Sequence, residues 1–143
     1  MVWLADVNVL IALADVSHSF HAAASSWLAA HPKAGLATCA LTENGFLRIY
    51  GHPSYPLGPG SPERALLDLR AYRNRRGHRF LPSELSFDDA VFGTLVGVTP
   101  KQLTDLYLVA LAGKHGARFL TFDTSIPADL VHSGRKFLEV ITP

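Results

Sequence analysis

Hydrophobic positions along this chain fall into short runs and helical stripes that alternate. Val2-Trp3-Leu4-Ala5 is a strand-length apolar run closed by Asp6, and the pattern resumes through Val9-Leu10-Ile11-Ala12-Leu13-Ala14 at helix-like length. Phe20, Ala23, Ala24, Trp27, Leu28 and His31 recur at helical spacing, which predicts an amphipathic helix stopped by Pro32. Gly35-Leu36-Ala37-Thr38 predicts a second strand, followed by a helix from about Ala40 to Tyr50 that ends at Gly51. Residues 51–60, rich in glycine and proline, read as a loop. Ser61-Pro62 opens the next helix, with Ser61 as cap, Pro62 at the first helical position and Gly77 as the stop. Arg79-Phe80-Leu81 is a short third strand, and Ser86-Phe87-Asp88-Asp89 reads as a helix start with acids in its first turn. Thr99-Pro100-Lys101-Gln102 combines a capping box with proline at the first position, and its helix runs to Lys114 or His115. Arg118 to Asp123 is the fourth strand, Ile126 to His132 a short helix, and Phe137 to Ile141 the last strand. Such alternation predicts an α/β fold with a mainly parallel sheet covered on both faces, built as a single domain over residues 1–143.

Composition sharpens this picture in two places. Hydrophobic residues make up 48% and charged residues 17%, which excludes a disordered or tail-like chain. One cysteine, Cys39, excludes an internal disulfide framework and a cysteine-rich zinc site. No apolar run has the length of a membrane span, and the first strand begins at Val2, so the expected location is the cytoplasm with no cleavable leader and no membrane partner.

Candidate chemistry lies in four acids set in apolar sequence: Asp6, Glu43, Asp105 and Asp123. The chain has only 12 acids, and an isolated buried charge is costly. Asp6 and Asp123 close the first and fourth strands. Glu43 opens the helix leaving the second strand and shares a face with Phe46 and Leu47. Asp105 lies near the start of a helix that runs antiparallel to the strand after it. In a parallel sheet all four meet at the carboxyl edge, where such folds bind their ligands. Two charges 5 Å apart repel by about 3 kcal/mol at an effective dielectric of about 20. The crevice therefore requires protons or divalent cations, and oxygen-only donors suit Mg²⁺ or Mn²⁺. Paired ions of that kind can clamp a phosphodiester and activate water. For each acid alone there is a structural reading. Asp6 and Asp123 would cap the turns that follow them, Glu43 would pair with Arg48, and Asp105 would favour the positive end of its own helix.

The segments Leu4-Ala5-Asp6-Val7-Asn8, Leu41-Thr42-Glu43, Leu103-Thr104-Asp105-Leu106-Tyr107 and Leu120-Thr121-Phe122-Asp123 together resemble the four acidic motifs of PIN domains, in particular the VapC toxins of bacterial type II toxin–antitoxin systems. The resemblance spans nearly the whole chain. It implies a three-layer α/β/α sandwich with a five-stranded central sheet of order 3-2-1-4-5. It implies a Mg²⁺- or Mn²⁺-dependent endoribonuclease of the bacterial cytoplasm, cutting tRNA or rRNA, homodimeric and silenced by a VapB antitoxin. On matching positions Asp6 and Asp105 would be the principal metal ligands, and Glu43 and Asp123 would complete the site. Asn8, Thr104 and Thr121 would orient water or the acids.

Arg70, Arg73, Arg75, Arg76, His78 and Arg79 form the basic cluster of a chain whose formal net charge is only +1. The functional reading is a phosphate-contact surface feeding the acids, with Arg73, Arg75, Arg76 and Arg79 on RNA; the plain one is a solvated helix end. His18 and His21 read as part of a helix start, and Asp88 and Asp89 as first-turn charges. Trp3, Trp27, Phe46 and Phe119 read as core, with Phe20, Trp27 and Leu28 as candidate dimer surfaces. Two rivals to the nuclease are a PIN-like module that binds metal and RNA without chemistry, and a phosphatase or receiver-like phosphotransfer domain. The latter wants a second acid where Asn8 stands, or a nucleophilic aspartate with a partnering lysine, and neither pattern occurs.

Overall fold

The computed structural model describes residues 1–143. Five parallel strands, β1 (Val2–Ala5), β2 (Gly35–Thr38), β3 (Arg79–Phe80), β4 (Arg118–Thr121) and β5 (Leu138–Val140), form one sheet of order β3-β2-β1-β4-β5. Helices α1 (Val7–Ala14), α2 (His21–Ala30), α3 (Ala40–Tyr50), α4 (Pro62–Arg73) and α5 (Pro100–Lys114) cover it. Side chains alternate along the central strands as a pleated sheet requires. Leu4 and Phe119 join a cluster with Leu106, Leu108, Val109 and Leu111 of α5. Trp3, Ala5 and Leu120 join the opposite cluster, with Val9 and Leu10 of α1, Phe46 and Tyr50 of α3, and Ala65 and Leu69 of α4. Helices α1 to α4 thus pack on one face. Only α5 and the irregular segments around Phe92, Ile126 and Val131 pack on the other. Seven consecutive buried residues, Leu106 to Ala112, explain why α5 shows so little polar face.

Capping chemistry fixes the helix starts. Ser61 Oγ accepts from Arg64 N–H at 3.2 Å. At α5, Thr99 and Gln102 form the reciprocal capping box, with Pro100 in the first turn. Helix α3 begins on Cys39, which is fully buried and whose N–H donates to Thr42 Oγ1 at 3.0 Å.

Some sequence expectations need correction. The helix expected at Ser86-Asp89 is absent. Ser86 Oγ accepts from Asp88 N–H at 3.1 Å and Asp89 Oδ1 from Val91 N–H at 2.9 Å, so the side chains that resemble caps close local turns instead. Helix α4 ends at Arg73, before Gly77. In place of one helix over Ile126–His132 stands a single 3₁₀ turn, Ala128–Leu130, and a second, Gly134–Phe137, takes Phe137 out of the last strand, which is Leu138–Val140.

Candidate active site

The sheet order reverses between β1 and β4. From β1 the chain moves outward to β2 and β3, then returns across the sheet through α5 to enter β4 on the other side. The crevice at the carboxyl ends of β1 and β4 is the topological switch point of the fold. Three of the sequence-predicted acids gather there.

Asp6 follows β1 directly and is only 9% exposed. Its N–H donates to the Leu120 carbonyl at 2.9 Å, tying the end of β1 to β4. Its side chain makes no capping hydrogen bond to α1, although the Val7 N–H beside it favours the ionised carboxyl. Its carboxylate instead accepts from Thr121 Oγ1 at 2.7 Å. The same hydroxyl accepts from the Asp123 N–H at 3.1 Å. Thr121 is fully buried, so one hydroxyl spends both its donor and an acceptor holding the two strand-end acids in register. Asp105 sits in the second turn of α5, half-buried over the same edge.

Charge repulsion links the three: Asp123 bears on Asp6, and both bear on Asp105. Burial, then the charge of Asp123, push the Asp6 carboxyl above its ordinary value, against the opposing hydrogen bond from Thr121. Burial raises Asp105 to about 6, and repulsion from Asp6 and Asp123 adds to it. Asp123 goes the other way: Ser125 donates its N–H at 2.7 Å and its Oγ at 2.6 Å to Asp123 Oδ1, holding that carboxyl low. The turn-capping role expected for Asp123 is therefore real and coexists with its place beside Asp6. Lys101, one helical turn before Asp105, is the cation that favours ionised Asp105 and Asp123. Neither Lys101 nor Ser125 was singled out from the sequence. The i, i+4 spacing of Lys101 to Asp105 was the available signal.

Glu43 stands apart from this trio. It is not among the charges that shift any of the three aspartates. Its Oε2 accepts from Thr38 Oγ1 at 2.7 Å and from Arg73 Nη1 at 2.6 Å. Since Thr38 donates to Glu43, His78 Nε2, 2.9 Å away, must donate to Thr38. Burial and then Arg73 lower the pKa of that imidazole, which favours the neutral ring. Glu43 thus pairs with Arg73, from 30 residues away, and not with Arg48. Asn8 and Thr104 are exposed at the same edge and hydrogen-bonded to none of the acids.

The donor chemistry of the trio fits a divalent cation: oxygen ligands only, with mutual repulsion that a dication removes. No three acidic, histidine or cysteine side chains converge closely enough to ligate one ion together. His18 and His21 are occupied locally, by the Phe20 N–H at 3.0 Å and the Ala12 carbonyl at 2.7 Å, as a helix start requires. Trp3, Phe46 and Phe119 are buried as expected, whereas Trp27 is half-buried and donates its indole N–H to Glu139 at 2.8 Å.

A five-stranded parallel sheet of this order, with aspartates grouped at its switch point, defines a class of nuclease-like α/β domains, and a family model confirms it: residues 4–128 match the PIN domain, and the chain belongs to that family. Its similarity runs to particular members. Over 134 residues, 93% of this chain and 94% of the relative, it is 41% identical to Ribonuclease VapC44 of Mycobacterium tuberculosis. It is 40% identical to Ribonuclease VapC38 of the same organism over 126 residues, 86% of each chain. Against Ribonuclease VapC39 it is 36% identical over 135 residues, 94% of this chain and 96% of the relative. No helix is long and apolar enough to cross a membrane.

Proposed function

We propose that this chain is a Mg²⁺- or Mn²⁺-dependent endoribonuclease and the toxin of a VapBC-type module. The observation that carries the reading is the grouping of Asp6, Asp105 and Asp123 in a chain near-full-length homologous to VapC ribonucleases. Asp6, Asp105 and Asp123 would hold the metal, with Glu43 joining from its contact with Arg73. Bound dications supply Lewis acidity toward water and the phosphate oxygens. Thr121 orients Asp6 and the Asp123 backbone so that both carboxylates meet the substrate edge. Lys101 offsets the negative field where a phosphodiester must approach. Asn8 and Thr104, free of other partners, are placed to orient water or RNA. In-line attack by water forms a new bond to phosphorus and breaks the one to O3′, which takes up a proton, so the products are a 5′-phosphate and a 3′-hydroxyl. The natural substrate class is tRNA or rRNA, the repressing partner a VapB antitoxin, the assembly a homodimer, and the setting the bacterial cytoplasm.

The test is cleavage of total RNA by the purified protein. Activity should require Mg²⁺ or Mn²⁺ and disappear in EDTA. Asp6→Asn and Asp105→Asn should each lower the rate by about 10²–10³-fold or more with the circular dichroism spectrum unchanged. Robust cleavage by either variant defeats the assignment. Binding of RNA without cleavage under every metal would support the inert module, and phosphate release from small phosphoesters alone the phosphotransfer domain.

A further inference from the structure

The basic cluster after α4 is divided by the sheet. Arg73 reaches the carboxyl edge and pairs with Glu43, while also lying over the Phe80 ring at 5.3 Å. Arg75 and Arg76 lie at the opposite edge. With Pro32, Lys33, Ala34 and Gly77 they line a cavity of about 650 Å³ where β2 and β3 begin. The floor of that cavity is fixed. Gly35 and Gly77 approach so closely that a Cβ on Gly35 would collide with the Gly77 carbonyl, and Gly77 has φ +82°.

Three cations line this space and no acid does. None of Lys33, Arg75 and Arg76 belongs to an ion pair. The Nε–H of Arg75 is shielded from solvent and has no hydrogen-bond acceptor. An orphaned buried donor costs about 1–3 kcal/mol, more when charged, and native structures retain few of them. Two guanidinium groups and an ammonium around one concavity call for an anion with several oxygens, and the planar fork of arginine matches phosphate.

We propose that this cavity is an exosite for a backbone phosphate of the RNA, at the sheet edge opposite the aspartates; the inference rests on the ribonuclease reading above. Four-residue strands rising about 3.3 Å per residue separate the two edges by at least about 13 Å. Only an RNA long enough to pass from one edge to the other engages both. The cavity thereby selects for longer or folded RNA without touching the reacting bond, and it sets KM and not kcat.

The experiment compares the wild type with Lys33→Gln/Arg75→Gln/Arg76→Gln, of which Lys33 and Arg76 are exposed and Arg75 is half-buried. Two substrates are used, a two-residue oligonucleotide whose single phosphodiester cannot occupy both edges, and a folded RNA of tRNA size. Cleavage is measured in Mg²⁺, and binding in EDTA over a range of salt. The triple variant should cut the oligonucleotide as the wild type does and bind the long RNA at least about tenfold more weakly. Its slope of log affinity against log salt should fall by about 0.7–0.9, the contribution of one phosphate contact. Arg75→Lys keeps the charge but loses the Nε–H, and should give an intermediate loss. Unchanged affinity and slope for long RNA overturn the exosite. So does saturable binding of millimolar inorganic phosphate that needs Lys33, Arg75 and Arg76 yet leaves the affinity for long RNA unchanged, which would assign the cavity to a small free anion. If neither protein cuts either RNA, the ribonuclease reading fails, while the binding measured in EDTA still judges the cavity.

Discussion

Thr121 is the residue on which the strand-end acids depend. Thr121→Val removes the donor to Asp6 and the acceptor for the Asp123 N–H at once, leaving a buried carboxylate short of a partner. The expected cost is about 1–3 kcal/mol in denaturant melts, with cleavage falling too, and Thr121→Ser should restore both. Asp105 carries a pH signature. Its folded-state pKa, about 6, lies above the 3.8 of an unperturbed carboxyl, so the folded protein holds this proton more tightly than the unfolded chain. Its contribution to stability is therefore fullest below about pH 4 and declines as pH rises through about 6. Without dications, the melting temperature of Asp105→Asn relative to wild type should rise between pH 4 and pH 7; a constant difference would contradict the assignment. The three aspartates were legible in the sequence because a charge inside an apolar run is conspicuous. The arginine bound to Glu43 was not, because a pairing across 30 residues leaves no local spacing to read. The same rule also overlooked Asp15, an acid that likewise follows an apolar run. Asp15 is 8% exposed and accepts from Tyr55 Oη at 2.7 Å and Ser17 N–H at 2.9 Å, so it anchors the 51–60 loop.

At the level of elements, the packing of α3 on α1 decides where Glu43 stands relative to Asp6. Gly45 makes that packing tight: a Cβ there would meet Val7 Cγ2 at 2.6 Å. Gly45→Ala gains about 0.8–1 kcal/mol of helix propensity but loses about 1–3 kcal/mol to overpacking, so a net loss of stability is expected. Val7→Ala in the same chain should relieve it, and a stabilised Gly45→Ala single variant would refute the close crossing. The elements that the sequence revealed are those with two agreeing signals. Helix α5 had its capping box, its proline and a long apolar run; β2 had an apolar run between a turn glycine and the next helix, and its bounds match. The failures have local causes. Around Ser86 to Asp89, serine and aspartate bond to backbone within two residues, and a capping motif looks the same whether a helix follows or not. The 3₁₀ turn Gly134–Phe137 has too few residues to show a period. It is held from outside, by packing so close that a Cβ on Gly113 of α5 would run into the Phe137 ring.

For the whole molecule, topology does what no single residue can. Order β3-β2-β1-β4-β5 puts the ends of two strands and the start of α5 at one edge, and the starts of β2 and β3, with their cations, at the other. A chain of net charge +1 thereby carries a negative edge and a positive remote one, which its total charge conceals. The central claim is that Asp6, Asp105 and Asp123 act as one dication site. Calorimetric titration of Mg²⁺ or Mn²⁺ near pH 6, in two buffers of different ionisation enthalpy, tests it most directly. The wild type should bind saturably and release protons, because Asp105 is partly protonated there and must ionise to ligate, while Asp105→Asn should bind at least about tenfold more weakly with the proton release lost. Equal affinity and equal proton release in the two proteins would contradict it.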